Sequence, residues 1–365
     1  MDIRALAAVV GLAFFATPAE SQDLSSIKLP PGFVISTFAK GLGSARFMAL
    51  DPNGTLVVSI TRGGKVLALP DRDGNGRADT QVVILDDLDS PHGLAFQQGF
   101  LYVAETGRIL RYRYNPATMI AAEQTIIVRN LPRGGGHFTR TLVVGPDEKL
   151  YVSVGSSCNV CEERDKRRAS IVRYNPDGSG EVLFATGLRN AVGITFRPGT
   201  TELWATNNGR DWLGDDLPPE YVTEVKEGGF YGWPYCYSNQ GKIVPDPDYG
   251  SPERCQKAMA PNVEFQAHSA PLGLTFYQGD RFPPEYRGNI FVALHGSWNR
   301  SVPTGYKLLR IVLKNGKPER VEDFAWGWLE GRQRSGRPVD VLTGKDGALY
   351  VSDDTAGQIY RISYK

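Results

Sequence analysis

The chain has 365 residues, a formal net charge of +1, 41 glycines, 24 prolines and only four histidines. So balanced a total gives no case for a nucleic-acid or membrane-surface partner. The length admits two ordinary domains or one large β domain, and abundant glycine and proline with 10% aromatic residues suit a turn-rich β protein with an ample core.

Residues 2–22 come first: Arg4, an apolar run from Ala5 to Ala16, then small residues at Thr17-Pro18-Ala19 and Ala19-Glu20-Ser21. This reads as a secretory signal peptide over residues 1–21, because about twelve apolar residues fall short of the roughly twenty a spanning helix needs. No later segment is apolar enough to span, so a mature chain from about residue 22 is expected to be exported, periplasmic or secreted, without a membrane span.

Phe33-Val-Ile-Ser-Thr-Phe38 is a strand with no unit of its own, and from Arg46 a unit recurs. It consists of a basic or imidazole residue, a short apolar strand, a glycine-containing turn, and Leu-Tyr-Val-Ser or a variant. The copies open at Arg46, His92, His137, Arg189, His268 and Arg337, and their second strands start at Leu56, Leu101, Leu150, Leu203, Ile290 and Leu349. Further strands, such as Ile109-Leu-Arg-Tyr112 and Gln358-Ile-Tyr-Arg-Ile362, fill the gaps, and the first three gaps, of roughly 45 to 52 residues, suit four strands each. The pattern predicts an all-β fold over residues 22–365: a six-bladed β-propeller of four-stranded antiparallel sheets. An irregular, Pro- and Gly-rich insertion is expected at about 211–267, and the unpaired strand at Phe33 should pair with the last blade and close the ring. No long amphipathic helix is evident.

Four cysteines suit an exported chain. Cys158 and Cys161 form a C-x-x-C and Cys236 and Cys255 stand close enough to close a loop. Two disulfides are the simplest account, since the second spacing is wrong for a zinc ribbon and no βαβ context supports a redox motif.

In a propeller, equivalent positions of the blades point to one end of the central channel. Arg46, His92, His137, Arg189, His268 and Arg337 would therefore ring that end and form an anion site, His137 following three glycines on a loop that faces a pocket. After the fourth copy, the stretch from Asn207 to Glu220 gathers Asp211, Asp215, Asp216 and Glu220 with many free carbonyls, the hard oxygen donors that suit calcium. Asp71-Arg-Asp-Gly-Asn-Gly-Arg-Ala-Asp79 matches the first half of a calcium loop, but Val82 stands at the twelfth position and excludes an EF-hand. It is either a second calcium loop or a tight turn between strands.

Several pieces together resemble the soluble quinoprotein sugar dehydrogenases: His137 with Gly145-Pro-Asp147, Gly187-Leu-Arg-Asn190, Asp215-Asp216, Gly228-Gly-Phe-Tyr-Gly-Trp-Pro234 and Arg337-Pro-Val-Asp340. The sorbosone-dehydrogenase-like branch is especially similar at residues 208–216 and 295–300, and the resemblance runs from about Leu29 to the end. It implies a six-bladed propeller that holds pyrroloquinoline quinone, a planar tricarboxylate, over a calcium ion. It implies His137 as the base that takes a hydroxyl proton while hydride passes to the quinone, and Arg189, Asn190 and Arg337 as cofactor contacts. His92 and His268 join these as ring members. Two family cations are missing, at Val339 and at or near His295, and Arg46, Arg300 or Lys307 would replace the lost charge. The calcium carbonyls are expected from Gly209, Arg210, Asp211 and Trp212, with Asp215 and Asp216 nearby. Trp298, Trp212 and Tyr277 are candidates to wall the substrate pocket, Tyr277 being at least as well explained by blade packing. The expected activity is oxidation of a sugar or related polyol or aldehyde, with electrons passed to a quinone or cytochrome. The alternatives are a calcium-dependent lactonase-type hydrolase and a non-catalytic binding module on the same fold.

Overall fold

The computed structural model of the protein describes residues 24–365. The signal-peptide reading falls on residues outside that range. Six antiparallel four-stranded sheets follow one another along the chain. The first comprises Ala45–Leu50, Leu56–Ile60, Lys65–Leu69 and Val82–Leu85. The next four begin at Leu94–Gln97, Leu142–Val144, Ile194–Phe196 and Pro271–Phe276. The sixth comprises Pro338–Thr343, Leu349–Asp353 and Gln358–Tyr364, completed by Phe33–Lys40. These opening strands touch one another in a cycle, each meeting those of its two neighbours and the sixth meeting the first. That cycle is the inner wall of a six-bladed propeller.

Each second strand is mostly apolar because it is covered on both faces: Leu56–Ile60, Leu150–Val154, Leu203–Asn207 and Ile290–Leu294 are buried throughout. The core lies between blades, as sheet-on-sheet packing requires. The ring closes where expected: Phe33 pairs with Tyr364 and Lys40 with Gln358, in antiparallel register around one bulge. Phe33 anchors that strand, its ring edge-on to Phe282, Phe324, Tyr286 and Tyr364 at centroid distances of 4.7–5.1 Å.

The stretch 211–267 is more ordered than the sequence suggests. It supplies the outer two strands of the fourth blade, Glu220–Val225 and Val263–Phe265. Gly229–Phe230 extends the third blade as a fifth strand, parallel to Val182–Thr186, and Cys236–Asn239 pairs with Lys242–Pro245 as a small hairpin. Its composition conceals these strands because each is short and flanked by proline and glycine. Both disulfides form, Cys158–Cys161 and Cys236–Cys255. Among the described residues the one α-helix is four residues long, Pro252–Cys255, and none is long and apolar enough to cross a membrane.

Candidate active site

Pairing sets the register of the inner strands: Met48 lies opposite Val58, Leu94 opposite Val103, Leu142 opposite Val152, Ile194 opposite Ala205, Leu274 opposite Val292 and Val341 opposite Val351. Two residues ahead of each stand Arg46, His92, Arg140, Val192, Leu272 and Val339. Phe47, Val192, Leu272 and Val339 pack into one buried cluster that plugs the axis. The expected ring of six cations and imidazoles at one repeat position is therefore corrected. Arg46 and His92 share a position, but the third blade places Arg140 there. His137, Arg189, His268 and Arg337 stand further ahead, at unequal distances from the shared position.

These residues nevertheless converge on one rim. Above the plug lies a cavity of about 580 Å³, within the usual range for a small-molecule site. Arg46, His137, Arg189, Asn190, His268, His295 and Arg337 line it. His92 does not. It is fully buried, its ring 4.2 Å from that of Phe47, with Nδ1 3.3 Å from the Thr141 hydroxyl. Arg300 does not either, because its guanidinium is taken by the Asp215 and Ala267 carbonyls and the Asp216 carboxylate. Lys307 is paired with Asp323.

The loop carrying His137 is held from behind by two arginines that sequence reasoning missed. Arg140, fully buried, donates to the carbonyls of His137, Thr139 and Pro132. Arg168 donates to those of Arg133, Gly134 and Gly155. Arg140 could have been found by counting back from Leu142, whereas Arg168 ends a charge-rich run with no distinguishing pattern. Gly155 lets the next strand end press against the imidazole, since a Cβ there would lie 2.6 Å from that of His137 and 2.5 Å from Asn190 Oδ1.

His137 Nδ1 lies 2.9 Å from the Ser156 carbonyl oxygen and 3.0 Å from its hydroxyl. The Ser156 hydroxyl itself donates to the Cys158 carbonyl, so both of its contacts with Nδ1 are acceptors and the ring must carry its proton there. Nε2 is then a bare lone pair. Burial pushes the His137 pKa down to about 3, and the Arg189 charge pushes the same way, so the ring is neutral at physiological pH.

Arg189 donates to the Asn159 and Gly209 carbonyls, to Asn159 Oδ1 and, at 2.9 Å, to the Asp211 carboxylate. The other Asp211 oxygen accepts from Asn299 Nδ2, which lies 3.2 Å from His268 Nδ1, while His268 Nε2 faces the Gly214 carbonyl at 2.8 Å. Across the cavity Arg46 and His295 both bond Asp354, at 2.7 and 2.9 Å, and Arg337 grips the carbonyls of His295 and Gly296. Burial pushes His295 down to about 4, so it donates to Asp354 as a neutral ring. Although burial opposes ionisation of Asp354, the hydrogen bond from His295 and the nearby Arg46 hold it well below the ordinary carboxylate range. Asp354 was not anticipated because it follows a repeat strand without its own motif, and Asn299 was given no role although it lies in the 295–300 segment.

Of the six residues expected at a metal, Gly209 and Asp211 line the cavity and the other four do not. Arg210 turns away to Asp246 and Asp248. Asp215 accepts from the Ser301 amide and hydroxyl, Asp216 pairs with Arg300, and Trp212 is 69% exposed. The Gly209 carbonyl is already bonded to Arg189, and no group of three carboxylates gathers here among the described residues. Glu220 does line the cavity, protonated near neutrality because burial lifts its pKa to about 8. Asp71, Asp73 and Asp79 do come together, with oxygens within 4.8 Å of one another, but none lines the cavity. Trp298 and Phe138 stand at the mouth, 67% and 43% exposed, and Trp212 meets Trp298 edge-on at 5.4 Å. Tyr277 is blade packing: fully buried, stacked on Phe282 and bonded to the Gly347 carbonyl.

Four arginines (Arg46, Arg62, Arg189 and Arg337) thus face the carboxylates Asp211 and Asp354 and the protonated Glu220, leaving the cavity net positive. Arg46 Nε and Asn299 Oδ1 are buried without a partner. The site can hold an anion and present a base beside it.

A family model described as TrAA12-like matches residues 27–365. A pyrroloquinoline quinone-dependent pyranose dehydrogenase of Coprinopsis cinerea is 28% identical over 96% of this chain, which spans 56% of that longer protein. The holo form of the quinone domain of that organism's pyranose dehydrogenase superposes with a TM-score of 0.81 at 24% identity, covering 92% of this chain and 97% of that one. A calcium structure of a Trichoderma reesei enzyme of carbohydrate-active family AA12 gives 0.83 at 22% identity, covering 96% and 100%.

Proposed function

Since the chain belongs to the TrAA12-like family, we propose that it is a quinoprotein dehydrogenase that oxidises a sugar, with His137 as general base. The observation that carries this reading is the bare Nε2 of a neutral His137 facing a cavity rimmed by arginines. Pyrroloquinoline quinone, a planar tricarboxylate, suits the net positive rim, and Arg46, Arg189, Asn190, His295 and Arg337 would hold it, guanidinium groups pairing well with carboxylates. The unpartnered Arg46 Nε supports the fit. When bound, that group supplies a two-electron acceptor for hydride from the carbinol carbon.

The chain supplies the proton chemistry. His137 Nε2 accepts the substrate hydroxyl proton, and Nδ1–H, anchored on Ser156, keeps the ring oriented throughout. An anion held among the arginines offsets their charge and makes His137 a stronger base than it is alone. The exposed faces of Trp298, Trp212 and Phe138 at the mouth suit the apolar face of a pyranose ring. Calcium has no comparable support. No three acidic side chains gather within residues 209–216. The two disulfides favour an exported protein, and the acceptor of the electrons is a quinone or cytochrome.

The test is titration of the purified protein with pyrroloquinoline quinone, followed by its absorption, then a panel of aldoses with a dye acceptor. Saturable uptake and sugar-dependent bleaching are expected. Absence of uptake, with and without added calcium, overturns the reading.

A further inference from the structure

The chain between Ser156 and Glu163 passes both working parts of the cavity, the imidazole and the arginine–carboxylate pair. The Cys158–Cys161 disulfide closes this stretch into a four-residue ring with Asn159 at its inner edge. Asn159 takes part in five hydrogen bonds. Its side-chain oxygen accepts from the Asp211 amide at 2.7 Å and from Arg189 at 3.0 Å, and its amide donates to the Asp211 carbonyl at 3.1 Å. Its own carbonyl accepts from Arg189 Nε at 2.9 Å and Trp233 Nε1 at 3.1 Å. One residue earlier, the Cys158 carbonyl takes the Ser156 hydroxyl that faces His137.

We propose that Asn159 is the positioning residue of this site, fixing Arg189 against Asp211, and that the Cys158–Cys161 disulfide exists to hold Asn159 in place. A short asparagine on an open surface loop would sample many orientations, and Arg189 would then be free to swing toward solvent. Closure of the ring removes that freedom before any ligand arrives, which is how preorganised sites lower the cost of binding. The other disulfide, Cys236–Cys255, ties the hairpin of the insertion and shares no hydrogen bond with this hub. Only the first bridge is therefore expected to act on the cavity. The quinone arm of the test rests on the function proposed above; the structural arm does not.

The experiment compares amide hydrogen exchange in the cofactor-free protein for wild type, N159A, N159D, C158S/C161S and C236S/C255S. The Asp211 amide should exchange at least tenfold faster in N159A and in C158S/C161S, with core amides such as that of Val152 unchanged. N159D, which keeps the acceptor oxygen, should retain most of the protection, and C236S/C255S all of it. Quinone affinity should fall about tenfold in N159A and C158S/C161S and stay at the wild-type value in C236S/C255S. Unchanged exchange at Asp211 in both variants overturns the proposal, as does faster exchange spread evenly through the core. If the wild type takes up no quinone, the proposed function fails while the exchange arm still decides the role of Asn159.

Discussion

The imidazole of His137 is set up by two opposing demands. It must be neutral to accept a proton, which burial and Arg189 ensure, yet those same influences weaken it as a base. Replacing it with alanine should cut sugar turnover by about 10²–10⁴-fold, the usual worth of a general base, while quinone affinity in an absorption titration stays near wild type. Arg337 divides the other way. Its guanidinium reaches the cavity while gripping the carbonyls of His295 and Gly296, so alanine there should weaken quinone affinity by roughly 10- to 100-fold, the range of a charged hydrogen bond. Turnover of the fully loaded R337A enzyme should change much less. Equal effects of both substitutions on both properties would refute this division of roles.

At the scale of elements, the blades were legible because their signal is local and repeated. Leu-Tyr-Val-Ser and its variants mark strands buried on both faces, and a strand such as Phe33–Lys40 without a unit of its own has only the last blade to join. The cysteine pairs were legible for the same reason of short separation. The site was legible only in part. Arg46, His137, Arg189, Asn190, His268, His295 and Arg337 do meet, but the equal register assumed for the ring fails because the leading loops differ in length. His92, expected in the cavity, is buried against Phe47, and Arg140, overlooked, braces the His137 loop from behind. Asp354, Asn299 and Asn159 were hidden because each acts across blades, through partners far away in sequence, and composition carries no trace of such a contact. The acidic loop misled in the opposite sense: Asp215 and Asp216 are spent on Ser301 and Arg300. The closing strand gives this scale its own prediction. Phe33→Ala removes the ring that four aromatic neighbours surround and should cost about 3–5 kcal/mol in denaturant unfolding, as for other large core truncations.

For the whole molecule, buried ionisable groups shape stability against pH. His92, His137 and His295 are neutral inside the fold, so the unfolded chain binds more protons below its ordinary histidine pKa, and stability is lost as pH falls from about 6.5 toward 3–4. Glu220 and Asp340 have the opposite sign. Burial raises them to about 8 and about 7, so their protonated forms favour the fold at low pH, and that contribution is lost as pH rises toward 8. The cofactor-free protein should therefore melt highest near pH 6.5, with a decline on either side. Glu220→Gln keeps an acceptor for the Gly209 amide and should flatten the alkaline decline between pH 6.5 and 8.5 in a thermal scan. An undiminished alkaline slope in that variant would remove Glu220 from the account.

The closing blade has a consequence in time as well as space. A ribosome delivers Phe33–Lys40 ahead of the first blade, but its partner Gln358–Tyr364 arrives only after five blades have emerged. Until then the sixth sheet cannot form, and the first and fifth blades each lack a neighbour on one side. A nascent chain of this design cannot complete its ring early, and any message truncated ahead of residue 358 yields an open arc with an unpaired edge, a natural substrate for proteolysis.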